Sequence, residues 1–460
     1  MIWLILVLAL IGTVLMVVKR EWMPAILVAS LPFERLPSFD ITGATIKINE
    51  ILLGVSFLII IWDWMRKREK IKVKKYYLLL LVYLLVCLVS LRGAIDIGRG
   101  VHYLIFSAYA CVVFLVASQL VLRDKKELMI KTLLVVSGLI TLFGLYQFIG
   151  DVLGVSTIFT GLRLEYTKLV FGFPRIQSTF LEPLYMGNFM IIPLAFLMIA
   201  ELKDWKIISA LWRRILTILI GAVLVLSISR GAYLGAAFMV LAVLLMYARL
   251  DNWKRVLLLV GEGVVITGFA FLMIGFAGWY QKIESNRLNP GQVNNTQNSR
   301  MAISRFTNHA VDQNDYSTND RKSTYDLAIE AWKSKPLFGV GIGNFGPYAA
   351  GKATVYGTNQ IVNNEPLEIL AETGLVGMLV ILSFLGFVIY WGLKAKVATD
   401  KNDKNNYYLG ALISALVGII VQYQFFSTLY ITYIWFLLGW IAGLAVRSQA
   451  LGVGRTNGKK

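Results

Sequence analysis

Apolar positions along this chain come in long continuous runs separated by short polar stretches. The runs are Ile2–Val18, Tyr77–Leu91, Val101–Leu122, Ile130–Ile149, Leu184–Ala200, Ala232–Tyr247, Val256–Ala277, Leu367–Tyr390, Tyr408–Tyr423 and Leu429–Val446, with shorter ones at Ile51–Trp64 and Ile215–Ile228. Many approach the ~20 residues that a helix needs to cross a bilayer. The pattern predicts an all-α integral membrane protein with about twelve transmembrane helices. Met23–Leu31 is too short to cross alone, so it is either re-entrant or part of a thirteenth span. A porin-type barrel is excluded, because its strands alternate apolar and polar residues. Ile2–Val18 has no basic start and no small-x-small site behind it, so it is expected to remain as a helix rather than be removed as a signal.

Composition agrees with the runs. Hydrophobic residues make up 57% of the chain and charged ones 16%, against about a quarter charged in soluble domains. Cys87 and Cys111 both fall inside apolar runs and read as packing residues. With only two histidines, His102 and His309, no zinc-type ligand set can be assembled, and no metal or cofactor is expected.

The net charge of +18 would suggest nucleic acid in a soluble protein. Here it is patterned as the positive-inside rule requires, and no nucleic-acid partner is expected. Basic clusters occupy Arg66–Lys75, Arg123–Lys131, Lys203–Arg214, Arg249–Arg255, Lys394–Lys404 and the tail from Arg455. These alternate with the other loops and define a cytoplasmic face. The remaining segments, 32–50, 92–100, 151–183, 229–231, 278–365 and 425–428, are therefore assigned to the outer face. This divides the chain into N-terminal spans over 1–277, a large extracytoplasmic loop over 278–365, C-terminal spans over 366–447 and a cytoplasmic tail over 448–460. Within the loop, Tyr325–Trp332 has helical apolar spacing and Pro336 ends it.

Arginines on the outer side run against the charge bias and need a reason. Arg92, Arg99, Arg163, Arg175, Arg230 and Arg321 each sit near a predicted membrane end. A guanidinium forms forked hydrogen bonds to phosphate and stays charged when partly desolvated. Such a set suits a phosphate or pyrophosphate headgroup, or it snorkels to lipid phosphates and pairs with carboxylates. Arg230 has almost no loop around it, and a charge forced so close to hydrocarbon is usually functional.

Three stretches together resemble the O-antigen ligase and O-antigen polymerase superfamily of bacterial membrane glycosyltransferases, with a GT-C-type polytopic architecture. They are Pro174–Pro183 followed by Gly187-Asn188-Phe189; Ser229-Arg230-Gly231-Ala232; and Trp332–Phe345 continued by Asn363-Asn364 and Leu367–Gly377. The resemblance covers roughly residues 170–395. It implies transfer of a glycan from undecaprenyl pyrophosphate to a hydroxyl at the outer face of the bacterial cytoplasmic (inner) membrane, in surface polysaccharide biosynthesis. The donor would be a lipid-linked oligosaccharide and the acceptor a glycan, lipid or protein. It also implies a metal-independent reaction in which Arg175, Arg230 and Arg321 hold the pyrophosphate.

The same resemblance places the catalytic position at Asn363 and Asn364, and Glu365 and Glu368 just beyond it complete the candidate catalytic set. Family ligases usually read His-Asn-x-x-Leu there, whereas this chain has Asn363 in the place of the histidine. An amide orients a hydroxyl but takes no proton at neutral pH. The base is then Glu365 or Glu368, or His309 from the polar part of the loop, or the proton leaves late without a strong base. Alternatively, Asn363 simply caps the following helix. Pro366 suits a first helical turn, with Asn364 or Glu365 capping it, and Glu365, Glu368 and Glu372 recur at helical spacing on one face. Glu182 either orients Arg175, meets sugar, or forms a plain salt bridge.

Gly339-Val340-Gly341-Ile342-Gly343 looks like a phosphate-binding loop but lacks the strand–helix context of one, so tight backbone packing is expected. His102 reads as an interfacial residue with a local hydrogen bond. The competing functional class is a non-enzymatic lipid-linked glycan flippase or exporter, which needs charged groups along a path through the membrane. Glu262 is the one obvious such residue in this chain.

Overall fold

The computed structural model describes residues 2–35, 38–41, 44–67, 75–123, 125–288, 316–352, 357–400 and 402–456; His309 lies outside them. In chain order the elements are α1 (Ile2–Val18), α2 (Met23–Ser30), β1 (Ser38–Ile41), β2 (Ala44–Lys47), α3 (Ile48–Lys67), α4 (Lys75–Ser90), α5 (Ile97–Leu120), α6 (Lys126–Val152), α7 (Thr157–Thr160), α8 (Lys168–Phe171), α9 (Pro183–Leu202), α10 (Ala210–Leu226), α11 (Arg230–Tyr247), α12 (Trp253–Leu288), α13 (Tyr316–Ser334), α14 (Phe345–Lys352), α15 (Glu365–Ala398), α16 (Lys404–Gln422) and α17 (Thr432–Thr456). β1 and β2 form one antiparallel hairpin with Ser38 opposite Lys47.

Among the described residues nine helices are long and apolar enough to cross a membrane. They are α3, α4, α5, α6, α9, α11, α12, α15 and α16, with shorter apolar helices at Val7–Val18 and Thr432–Ser448. The chain is a multi-pass membrane protein of almost wholly helical build. α2, the brief run in question, is an eight-residue helix and falls well short of a span.

Helix starts follow capping chemistry. Asp96, Ser209, Ser229, Asn364 and Asp403 stand at the N-caps of α5, α10, α11, α15 and α16, and each side chain accepts a hydrogen bond from a first-turn amide. α12 runs on to Leu288, beyond the apolar run that ends at Ala277.

The described residues group into two compact units. One comprises Met1–Leu52 and Lys126–Gln313, the other Leu53–Lys125 and Asn314–Lys460. In the first, α9 packs against both α10 and α11 and is buried along nearly its whole length. In the second, α17 packs along α5, and α15 packs against α4, α13 and α17. Phe384 of α15 joins these helices, edge-on to Phe114 at 5.2 Å and stacked on Trp435 at 5.7 Å between centroids. The second unit also holds a small core where α13 and α14 meet the start of α15, built from Ala328, Ala331, Val340, Phe345, Ala349, Val362 and Ala371. Ala328 and Ala331 belong to the face of α13 that the apolar spacing in Tyr325–Trp332 marks out.

Candidate functional site

The motif from Pro174 to Pro183 is held by hydrogen bonds to four separate parts of the first unit. The Arg175 backbone amide donates to Tyr166 O at 2.8 Å, and its guanidinium donates to Ser227 O at 3.4 Å and Ile228 O at 3.0 Å. Those carbonyls lie where α10 ends and α11 begins. Ile228 is left-handed there (φ 50°), which turns the chain so that Ser229 can cap α11 and Arg230 can be its first residue. Ser178 binds the Gln147 side chain of α6, its amide donating at 2.7 Å. Thr179 donates to Pro32 O at 2.6 Å, and the Arg35 amide donates to Thr179 O.

This knitting brings arginines together. Arg175 lies over the Tyr166 ring at 5.5 Å and Arg163 over the same ring at 5.9 Å. Burial holds the Arg175 guanidinium below its usual value; Tyr166, Tyr233 and Glu182 oppose that, and Arg230 adds to it. Arg230 and Glu182 are therefore each within charge range of Arg175. Arg35 donates to Gly161 O at 2.7 Å and is lowered first by burial and then by Arg163. Arg163 pairs with Glu165 at 2.8 Å. Burial pushes the Tyr166 hydroxyl up to about 12, with Glu182 adding to the shift, so it stays protonated at physiological pH. Arginine keeps its charge despite such shifts. Arg321 is half-buried on α13 in the second unit.

In the second unit, the stretch Asn363–Glu372 opens α15. Asn364 caps it, accepting from Leu367 N at 3.1 Å, while its own amide donates to Ser427 Oγ at 2.9 Å. Asn363 is not the cap. It takes a left-handed conformation (φ 59°), which asparagine tolerates better than most residues. Glu365 is buried, and its Oε2 has no hydrogen-bond partner. Glu368 is half-buried; its Oε2 accepts from Val362 N at 2.8 Å, and the Ser427 hydroxyl also serves it. Glu365, Glu368 and Glu372 follow one another at helical spacing, and Arg99 lies within charge range of Glu368 and Glu372.

The glycine run is a backbone insertion. α15 is broken at Gly374 (φ 68°, ψ −168°), and the chain from Pro336 to Gly341 enters the break. Val340 N and Gly341 N donate to Ala371 O and Glu372 O, while Leu375 N and Val376 N donate to Pro336 O and Leu337 O. A side chain at Gly339 would collide with the Glu372 carbonyl. Glu372 then fixes the end of the run: its two oxygens accept from Gly343 N at 2.8 Å and Phe345 N at 3.1 Å. Arg99 holds the same turn from α5, its Nε donating to Gly343 O at 2.6 Å and its Nη1 to Asn359 Oδ1 at 2.7 Å.

Glu372 and Arg99 are the functional-looking residues whose roles the sequence did not disclose. Glu372 stood out only by helical spacing, and Arg99 only by its charge on the outer side. Their partners are 29 and 244 residues away. Among the described residues no group of three His, Cys, Asp or Glu is placed to hold a metal ion. His102 makes a local bond, its Nδ1 lying 3.0 Å from Gly98 O.

Residues 215–382 match the family model described as O-Antigen ligase. No curated protein matches the chain. The matched stretch contains Arg230, Arg321 and the whole of Asn363–Glu372, while Arg175 and Glu182 precede it. Over residues 215–382 this chain is therefore similar to the O-antigen ligase family.

Proposed function

We propose that the protein transfers a glycan from a polyprenyl-pyrophosphate carrier to a hydroxyl acceptor at the outer surface of the bacterial cytoplasmic membrane, within surface polysaccharide biosynthesis. The observation that carries this reading is the pair Arg175 and Arg230 at the α10–α11 junction. Two guanidiniums held within mutual repulsion, one of them largely buried, form a place where an anion is stabilised. A pyrophosphate leaving group supplies that anion. Glu182, within charge range of Arg175, would orient that guanidinium.

The second unit carries the acceptor side of the chemistry. Glu372 is committed to two backbone amides and Glu365 is buried, whereas Glu368 is partly exposed. Glu368 is therefore the carboxylate that meets the acceptor hydroxyl, with the Asn363 amide orienting it and Asn364 holding the turn. The hydroxyl oxygen attacks the anomeric carbon of the donor sugar. The bond from that carbon to the pyrophosphate oxygen breaks, and polyprenyl pyrophosphate departs with the electron pair. The hydroxyl proton passes to Glu368. No metal is required where arginines neutralise the leaving group.

Deletion of the gene in its own host, followed by sizing of surface and carrier-linked glycan, tests the proposal. A polymerase leaves single repeats attached at the surface and removes long chains. A ligase leaves long chains on the carrier with none on the acceptor. Unchanged glycan in both pools would dismiss the transferase reading, and carrier-linked glycan trapped on the inner leaflet would point to a flippase.

A further inference from the structure

The loop between α6 and α9 carries apolar side chains turned outward. Ile158 and Phe159 of α7 are 87% and 74% exposed, and Leu169 of α8 is 83% exposed. Leu164 and Val170 are exposed beside them. Large apolar groups this open to water in a loop indicate a missing partner.

The identity of that partner follows from the neighbouring helices. Along α6 the exposed residues Val135, Leu139, Leu142, Tyr146 and Ile149 recur every three or four positions and form a stripe. α6 is one of the candidate spans, so this stripe is its lipid-facing side. Along the chain it is followed by exposed Leu153 and then by α7. α8 is tied to the end of α12, a second candidate span. Its Lys168 pairs with Glu284 of α12 at 3.0 Å, and Gln281 of α12 donates to Gly172 O at 2.6 Å. Near this junction Trp279 and Ile283 end the exposed face of α12 that includes Val264 and Leu272. Both short helices thus adjoin spans whose exposed sides face lipid. Between them, Arg163 and Tyr166 supply the cationic and aromatic groups that favour the headgroup level.

We propose that residues 153–170 form an interfacial membrane anchor, with Leu153, Ile158, Phe159, Leu169 and Val170 inserted into the outer edge of the acyl region of one leaflet. Arg175 and Arg163 share the Tyr166 ring, so the anchor holds the arginine group at the level of lipid phosphates. A carrier lipid then presents its pyrophosphate at the height where the arginines stand, without leaving the leaflet. The anchor itself does not depend on the transferase reading, because its occupant is bulk lipid.

The test uses the full chain in nanodiscs of phosphatidylethanolamine and phosphatidylglycerol that hold a single copy. In a Cys87→Ser, Cys111→Ser background, an environment-sensitive fluorophore is attached at Phe159→Cys, at Leu169→Cys and, as a water-exposed reference, at Lys352→Cys. The anchor predicts a blue-shifted emission at both loop positions, quenching by lipids carrying a shallow nitroxide, and loss of quenching by aqueous iodide. Water-like emission with reference-level iodide quenching at either position overturns it. Since only one copy is present, that outcome also covers a patch meant for a second copy. Hydroxyl-radical footprinting of the native chain in the same nanodiscs gives an independent reading. Phe159 should be labelled less than the half-buried Tyr348; heavier labelling of Phe159 refutes the anchor.

Discussion

At the scale of single residues, Asn363 answers to two demands. Its backbone must be left-handed so that Asn364 can swing into the capping position, and in the proposed mechanism its amide orients the acceptor hydroxyl. The two demands separate on substitution. Asn363→Gly satisfies the backbone without strain, so thermal stability in detergent should stay within about 0.5 kcal/mol of wild type. Glycan transfer should nonetheless fall by about tenfold or more, because nothing then orients the hydroxyl. Full activity in the glycine variant would reduce Asn363 to a turn residue. Asn363→Val should cost about 1–3 kcal/mol, since a β-branched residue resists that conformation. The cap at Asn364 was legible in the sequence because an asparagine just before Pro366 and an apolar run has a local meaning. Arg175 was legible as a cation but not as a residue that binds the carbonyls of Ser227 and Ile228. That contact spans more than fifty residues and depends on where two helices end.

At the scale of elements, the break in α15 organises the second unit. The run Leu367–Tyr390 reads as one apolar helix, and nothing around Gly374 marks a stop. The signal lies elsewhere in the chain, in Pro336–Gly341, whose backbone replaces the helix hydrogen bonds lost at the break. An interruption that is satisfied by a distant segment leaves no local trace, whereas the tight packing of the glycine run follows from its missing side chains. Gly374→Ala should therefore destabilise by about 2 kcal/mol or more, from left-handed strain and from collision with the Leu337 backbone. Gly386→Ala in the same helix has open space around it and should be neutral or slightly stabilising. Equal thermal shifts for the two variants would mean that the insertion does not hold α15 open.

At the scale of the whole molecule, run length and charge alternation disclosed a multi-pass helical protein, because a bilayer fixes span length and the distribution of lysine and arginine. The same signals could not reveal that contacts group the chain into two units of interleaved segments, since packing between helices is not written in hydropathy. The family match over residues 215–382 supports a place in surface polysaccharide biosynthesis. The chemistry proposed for that place rests most heavily on Arg230. The direct test is release of polyprenyl pyrophosphate from a carrier-linked glycan of the native host, measured with the purified protein in proteoliposomes. Release should be robust for wild type, fall by about a hundredfold or more in Arg230→Ala, and recover little in Arg230→Lys, which keeps the charge but loses the fork. Undiminished release by a correctly inserted Arg230→Ala variant, or movement of the glycan across the bilayer with its carrier bond intact, would contradict the account.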